Sequence, residues 1–156
     1  MNFEIYKKKG YTDAWIKLRL ENKRIHELLV AAWKEYGIHE SHDFALLTNR
    51  ILGNWSRLYT HEYKEFKDLG KSDDLRDNMS KVELFFLTMG EHGTLTDLLD
   101  CSKLPWHKRL KGYLELAEEN GVWTLDKVQN YEQEHKKKVV SPLNFKKYVE
   151  RQREQN

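Results

Sequence analysis

The sequence predicts an all-α, single-domain bundle of six to seven helices. Three observations carry this. Apolar residues recur at i, i+3 and i+4 through most of the chain. Capping and glycine signals bracket those segments. No run beyond the first few residues alternates apolar and polar positions as a strand does. At 156 residues the chain suits one domain spanning 1–156, which buries roughly two-thirds of its surface without metal or disulfide support.

Phe3 and Ile5 alternate with polar neighbours, so residues 1–11 read as a short extended arm. Thr12 or Asp13 caps a long helix starting near Ala14. Ile25, Leu28, Leu29, Ala32, Trp33 and Tyr36 form its buried stripe, and Gly37 ends it in a left-handed conformation. His39-Glu40-Ser41-His42 offers zinc-ligand side chains, but at the wrong spacing for the helical H-E-x-x-H site and with no third ligand nearby, so it reads as a solvated loop. A second helix runs from Phe44 to Leu52 and is interrupted at Gly53-Asn54. Thr60 caps a third, His61 to about Asp68, anchored by Tyr63 and Phe66. As a helix-turn-helix reader this last segment is disfavoured, because its three acids repel phosphate.

Ser80 and Glu83 form an S-x-x-E capping box, each satisfying a backbone N–H left open at a helix start. Val82, Phe85, Phe86 and Met89 follow on one face while Leu84 and Leu87 cover much of the rest, so this central helix is expected to be buried almost all round. It runs to about Leu99, with Gly90 and Gly93 admitting a close neighbour. Leu104-Pro105-Trp106 opens the next helix, which buries Leu110, Tyr113, Leu114 and Ala117 and closes at Gly121. Thr124 caps another, Leu125 to about His135. Ser141-Pro142 starts the last, Leu143 to about Arg153, burying Leu143, Phe145, Tyr148 and Val149. Residues 150–156 are polar throughout and form a frayed tail.

The charge balance, 27 basic against 25 acidic residues, gives only +2, so no strong overall field announces a nucleic-acid partner. Five Trp and eight Tyr argue against disorder. Cys101 is the only cysteine, which excludes an internal disulfide and reads as structural. No apolar run approaches the ~20 residues of a membrane span, no signal-peptide core follows the N-terminus, and the expected location is the cytosol.

No nucleophile motif, glycine-rich phosphate loop or paired-cysteine site is present, and Glu118-Glu119 falls on a solvent face. No catalytic residue, metal or cofactor is therefore expected. Two surfaces remain. Lys136-Lys137-Lys138, with Lys146 and Lys147 further on, is a candidate salt-sensitive nucleic-acid patch. The exposed parts of Trp55, Trp106 and Trp123 are candidate anchors for a protein partner. Arg76-Asp77, flanked by Leu75 and Met79, reads as a structural clamp between helices.

Leu75-Arg76-Asp77-Asn78-Met79-Ser80 followed by Glu83-Leu84 resembles the L-R-D-H/N-M-T/S-x-x-E-L signature of the C-terminal region shared by the DNA damage-inducible protein D family and BRO-type phage antirepressor-like proteins. Tyr63-Lys64-Glu65-Phe66-Lys67 upstream is similar to the family's preceding segment. Lys138-Val139-Val140-Ser141 with Asn144-Phe145 is similar to its K-x-V-V-S-x-x-N-F close. The chain departs at Asn49-Arg50, at His92-Gly93 and at Lys136, and is least alike between Thr94 and Gln133. The resemblance implies a helical, non-enzymatic regulatory protein of a phage or mobile element in a bacterial host cell. Its implied partner is a protein of DNA metabolism, the damage response or lysogeny control. A defence-nuclease inhibitor and a direct nucleic-acid binder are the alternatives, and the oligomeric state, a dimer included, stays open.

Overall fold

The computed structural model describes residues 2–101 and 110–155, and over them the helical apolar pattern becomes an all-α bundle of seven α-helices and one 3-10 turn. The first departure from expectation is at the N-terminus. Residues 3–8 are not extended; they form α1 (Phe3–Lys8), whose first turn is closed by the Asn2 side chain accepting from the Ile5 N–H at 3.1 Å. The apparent alternation misleads because Tyr6, not Ile5, turns inward and meets Tyr11 and Trp15.

Helix α2 (Asp13–Glu35) starts at the Thr12 hydroxyl, which accepts from the Trp15 N–H, and buries Trp15, Ile16, Ile25, Leu29 and Trp33. Leu28, expected inward, is exposed. The helix ends as predicted. Gly37 has φ +107°, and the bonds from the Ile38 N–H to the Trp33 carbonyl and from the Gly37 N–H to the Lys34 carbonyl make a Schellman closure.

Helix α3 (Ser41–Ser56) runs straight through Gly53-Asn54 and stops at Arg57, which takes the left-handed conformation at φ 67°. The Asn54 side chain donates to the Arg50 carbonyl at 2.7 Å, so the predicted breaker bonds within its own helix. Helix α4 (Thr60–Phe66) begins one residue earlier than expected. Tyr59 is its N-cap, its N–H donating to Glu62, while Thr60 donates from both backbone and hydroxyl to Asn49. Tyr63 is buried as expected, whereas Phe66 is exposed and Lys67 points inward in its place.

A 3-10 turn (Arg76–Asn78) leads into α5 (Lys81–Cys101), and both halves of the Ser80–Glu83 capping box form, at 3.3 and 3.0 Å. Leu84, Phe86, Leu87 and Leu98 are buried, but the helix is not buried all round: Phe85 and Leu99 are exposed. One continuous helix, α6 (Leu110–His135), replaces the two expected around Gly121 and Thr124. The glycine serves contact rather than termination, since a Cβ there would stand 2.9 Å from the Ile51 carbonyl oxygen of α3. The Thr124 hydroxyl donates to the Asn120 carbonyl inside the helix, so it caps nothing. Gly90 admits Ile51 and Thr124, and Gly93 admits Asn120, as close approach requires. The expected start at Leu104-Pro105-Trp106 lies outside the described residues.

The final helix, α7 (Phe145–Gln155), starts at Asn144 rather than Ser141-Pro142, because the Asn144 carboxamide accepts from the Lys147 N–H while Ser141 caps a local turn at Leu143. Val149 is buried, Leu143 and Tyr148 are exposed, and residues 150–155, expected to fray, continue the helix. The main packings are α3 on α6, α2 on α5, and α5 on α6. One apolar cluster gathers Tyr6, Trp15, Met79 and Leu87; the other gathers Trp33, Ile51, Leu98 and Tyr113.

Candidate functional site

Residues 75–79 sit where α1, α2 and α5 meet. Leu75 and Met79 are core residues, and the Met79 carbonyl accepts from the Trp15 indole at 2.8 Å. Arg76 forks onto Glu91 at 2.7 and 3.1 Å. Asp77 accepts from the Tyr6 hydroxyl and the Arg19 guanidinium, both at 2.8 Å, while its backbone carbonyl accepts from Tyr11. The pair is therefore a clamp between helices, as the sequence predicts.

Glu91 is the deepest member, 0 % exposed. Besides Arg76 it accepts from the Asn22 carboxamide at 3.1 Å and meets the His26 Nδ1 at 2.7 Å. Burial alone would raise its pKa, but the Arg76 charge and the His26 hydrogen bond overcome this and hold the carboxyl at about 2. Arg19 completes the cluster through Asn22 at 3.1 Å and Asp74 at 3.4 Å.

A second hub forms one helix end away. Glu83 is buried and receives Lys67 at 2.9 Å, the Tyr63 hydroxyl, and the Ser80 and Ser141 N–H groups. The Lys67 ammonium also donates to the Ser141 and Leu143 carbonyls at 2.8 and 2.9 Å. Leu75, Arg76, Asp77, Met79, Ser80 and Glu83 are thus scaffold: they join the chain's two ends to α5.

Among the partner-binding candidates, Trp55 is corrected. It is 1 % exposed within the core, because α3 turns it against the α1–α2 cluster, so it offers no anchor. Trp106 lies outside the described residues. Trp123 is 47 % exposed on α6 and shares an apolar groove of about 390 Å³ with Leu18, Phe85 and Met89, Phe85 being 50 % exposed. A second depression of about 460 Å³ adjoins it, bordered by Asp97 and Glu119.

Lys136, Lys137 and Lys138 are exposed at the end of α6, where Lys136 takes φ 52° and reverses the chain. Glu132, which lines a shallow depression with these three lysines, stands 4.0 Å from Lys138 and accepts from the Val139 N–H, which offsets part of the positive charge. Lys146 is half-buried and Lys147 exposed on α7; neither lines the depression formed by the other three.

One large concavity was missed in the sequence. It is a cleft of about 950 Å³ between α2 and α3. Arg19, Asn22, His26 and Glu91, which lie at or under it, carry a signal that was available. Arg19, Asn22 and His26 stand three and four apart within a stripe otherwise occupied by Trp15, Ile25 and Leu29, and polar groups on a buried face require partners. Glu91 likewise interrupts an apolar helix. Among the described residues no cluster of three His, Cys, Asp or Glu is placed to hold a metal, and no helix is long and apolar enough to cross a membrane.

Comparisons of the chain with protein-family models, with curated proteins and with solved structures found no significant match. The likeness to the damage-inducible and antirepressor-like proteins rests on the motif residues alone.

Proposed function

We propose that this chain is a non-enzymatic regulatory module that acts by docking another protein on the groove formed by α2, α5 and α6. One observation carries this reading: Phe85 and Trp123, two large aromatic side chains, stand half-exposed on either side of the same apolar groove. Leaving such surface in water costs roughly 25 cal/mol per Å² that a partner would recover, and aromatic residues are the commonest anchors of binding energy. Asp97 and Glu119 lie beside the groove. The occupant that fits is an amphipathic segment with apolar anchors and a basic flank.

The motif resemblance supplies the partner class: a host or phage protein of DNA metabolism, the damage response or lysogeny control, with a defence nuclease as the narrower case. Direct nucleic-acid binding through Lys136–Lys138 is the second reading, favoured by the exposure of all three lysines.

The test is nuclease-treated affinity capture from phage-infected or DNA-damaged bacteria, comparing wild type with the double variant Phe85→Glu, Trp123→Ala. A protein of those classes retained by the wild type and lost by a folded double variant supports the proposal. Identical retention by both removes the groove. A lysate-independent change in oligomeric state on mutation would assign the groove to a second copy of the chain instead.

A further inference from the structure

The cleft between α2 and α3 has a simple origin. Helix α2 packs along α5 and α3 packs along α6, so the two consecutive helices diverge after their connecting loop and leave a trough of about 950 Å³. That is the size of a small-molecule site. The α2 wall carries Lys23, His26, Val30 and Lys34, spaced to share one helical face. The opposite wall carries Phe44, Thr48 and Asn49 on α3, with Lys64 of α4 at one end. Leu52, Leu75, Met79 and Leu87 lie buried beneath the trough, so its accessible apolar surface is that of Val30, Phe44 and Ala45.

Its cations fall into two groups. Arg19 and Arg76 are neutralised by Asp74, Asp77 and Glu91 and supply rigidity rather than net field. Lys23, Lys34 and Lys64 have no carboxylate within ion-pair distance among the described residues. Lys23 lies over the Tyr6 ring at 5.2 Å, Lys34 over the Phe44 ring at 5.9 Å, and Lys64 donates to the Lys71 carbonyl at 2.9 Å. Two lining acids stand against them, Glu27 and the Asp74 already engaged by Arg19.

Between the lysines stands His26. Its Nδ1 is held by Glu91, its side chain is 31 % exposed, and its Nε2 has no protein partner among the described residues. A carboxylate fixes the ring's orientation, as outer partners do for functional imidazoles. The ring is thus aimed by a buried lock while its second nitrogen stays available to the trough.

The geometry points to a binding site for a phosphate monoester with an apolar or aromatic body. The phosphate would be taken by Lys23 and by His26 Nε2, one helical turn apart; with Nδ1–H held by Glu91, Nε2 donates when the ring carries both protons and otherwise accepts from a protonated phosphate oxygen. Lys34 and Lys64 add field, while the body lies against Val30 and Phe44 beside Thr48 and Asn49. This site is separate from the Phe85–Trp123 groove, so either can fail without the other.

The full chain is titrated with phenyl phosphate, AMP and inorganic phosphate, following backbone amide resonances and thermal midpoint. Both esters are expected to bind saturably, roughly tenfold more tightly than inorganic phosphate, because only they cover Val30 and Phe44. The shifts are expected on α2 and α3, and the midpoint should rise with ligand concentration. Lys23→Gln and Lys34→Gln, surface changes that keep the fold, should each weaken ester binding several-fold, and Lys81→Gln, at an exposed lysine outside the trough, should leave it unchanged. The assignment is overturned if no saturable shift occurs, if inorganic phosphate binds as tightly as the esters, or if the shifts map to Lys136–Lys138.

Discussion

Two buried carboxylates on one helix, Glu83 and Glu91, stand eight residues apart, about 12 Å along α5 by helix rise, and are used differently. Glu83 faces a lysine. Burial pulls the Lys67 ammonium below its ordinary pKa, with the Glu83 charge working against that fall, so holding this lysine charged in the core carries a cost at neutral pH. In return Lys67 and Glu83 join α4, the start of α5 and the strap before α7. Glu91 faces an arginine fork, a carboxamide and an imidazole, and its charge is favoured in the folded state. The planar guanidinium matches a carboxylate in two bonds, which an ammonium cannot do. One hub is sealed and closes the chain on itself; the other lies beneath an open cleft and orients a histidine within it.

The comparison breaks most visibly by removing one cation. Arg76→Ala leaves Glu91 buried beside a carboxamide and an imidazole, and should cost about 3–5 kcal/mol in denaturant unfolding. At the sealed hub, Lys67→Met should cost a similar amount, and adding Glu83→Gln should recover part of it by removing the stranded charge. That recovery, read from a double-mutant cycle, would mark the hub as connective rather than stabilising.

Acid sharpens the contrast next. Glu91 has a folded pKa of about 2, below its ordinary value, so the ionised form is bound more tightly by the native state. Its stabilising contribution is present above pH ~4.5 and fades as pH falls toward ~2, amounting to about 3 kcal/mol at one pKa unit per 1.36 kcal/mol. Glu91→Gln should flatten the acid limb of a pH–stability profile over that window.

The smallest expected effects are at partly exposed side chains. His26→Gln keeps a hydrogen-bonding group beside Glu91 and should cost about 1 kcal/mol. Trp123→Ala should change stability by no more than about 0.5 kcal/mol, whereas Trp55→Ala should cost about 3–5 kcal/mol through the cavity it opens. Those two indoles, equal in sequence, separate sharply in thermal unfolding if burial is as described.

Much of the architecture was legible along the chain because its signals are local. The Ser80–Glu83 box, the Gly37 stop and the Thr12 cap depend on neighbours within one turn. Two of the errors share one cause. Gly121 and Thr124 read as a stop and a start, but the glycine serves the approach of α3, which no local window contains. Asn2 and Tyr6 make the N-terminus helical against a weak alternation, since Tyr6 finds Tyr11, Trp15 and Asp77. Of the candidate anchors, Trp123 is exposed and Trp55 is buried, a difference the sequence could not make, because a tryptophan on a helix has no exposure until its neighbours are placed.

By itself the sequence determined the all-helical class and the caps at Thr12, Gly37 and Ser80–Glu83, and favoured a clamp role for Arg76 and Asp77 without deciding whether they are buried, because helix periodicity and capping act at short range. Tertiary structure alone decided which carboxylate each cation meets, that α2 and α3 part to leave a cleft, and that His26 stands oriented within it. Those outcomes join residues 15 to 76 positions apart. Only the packing of α2 on α5 and of α3 on α6 brings such pairs within bonding distance.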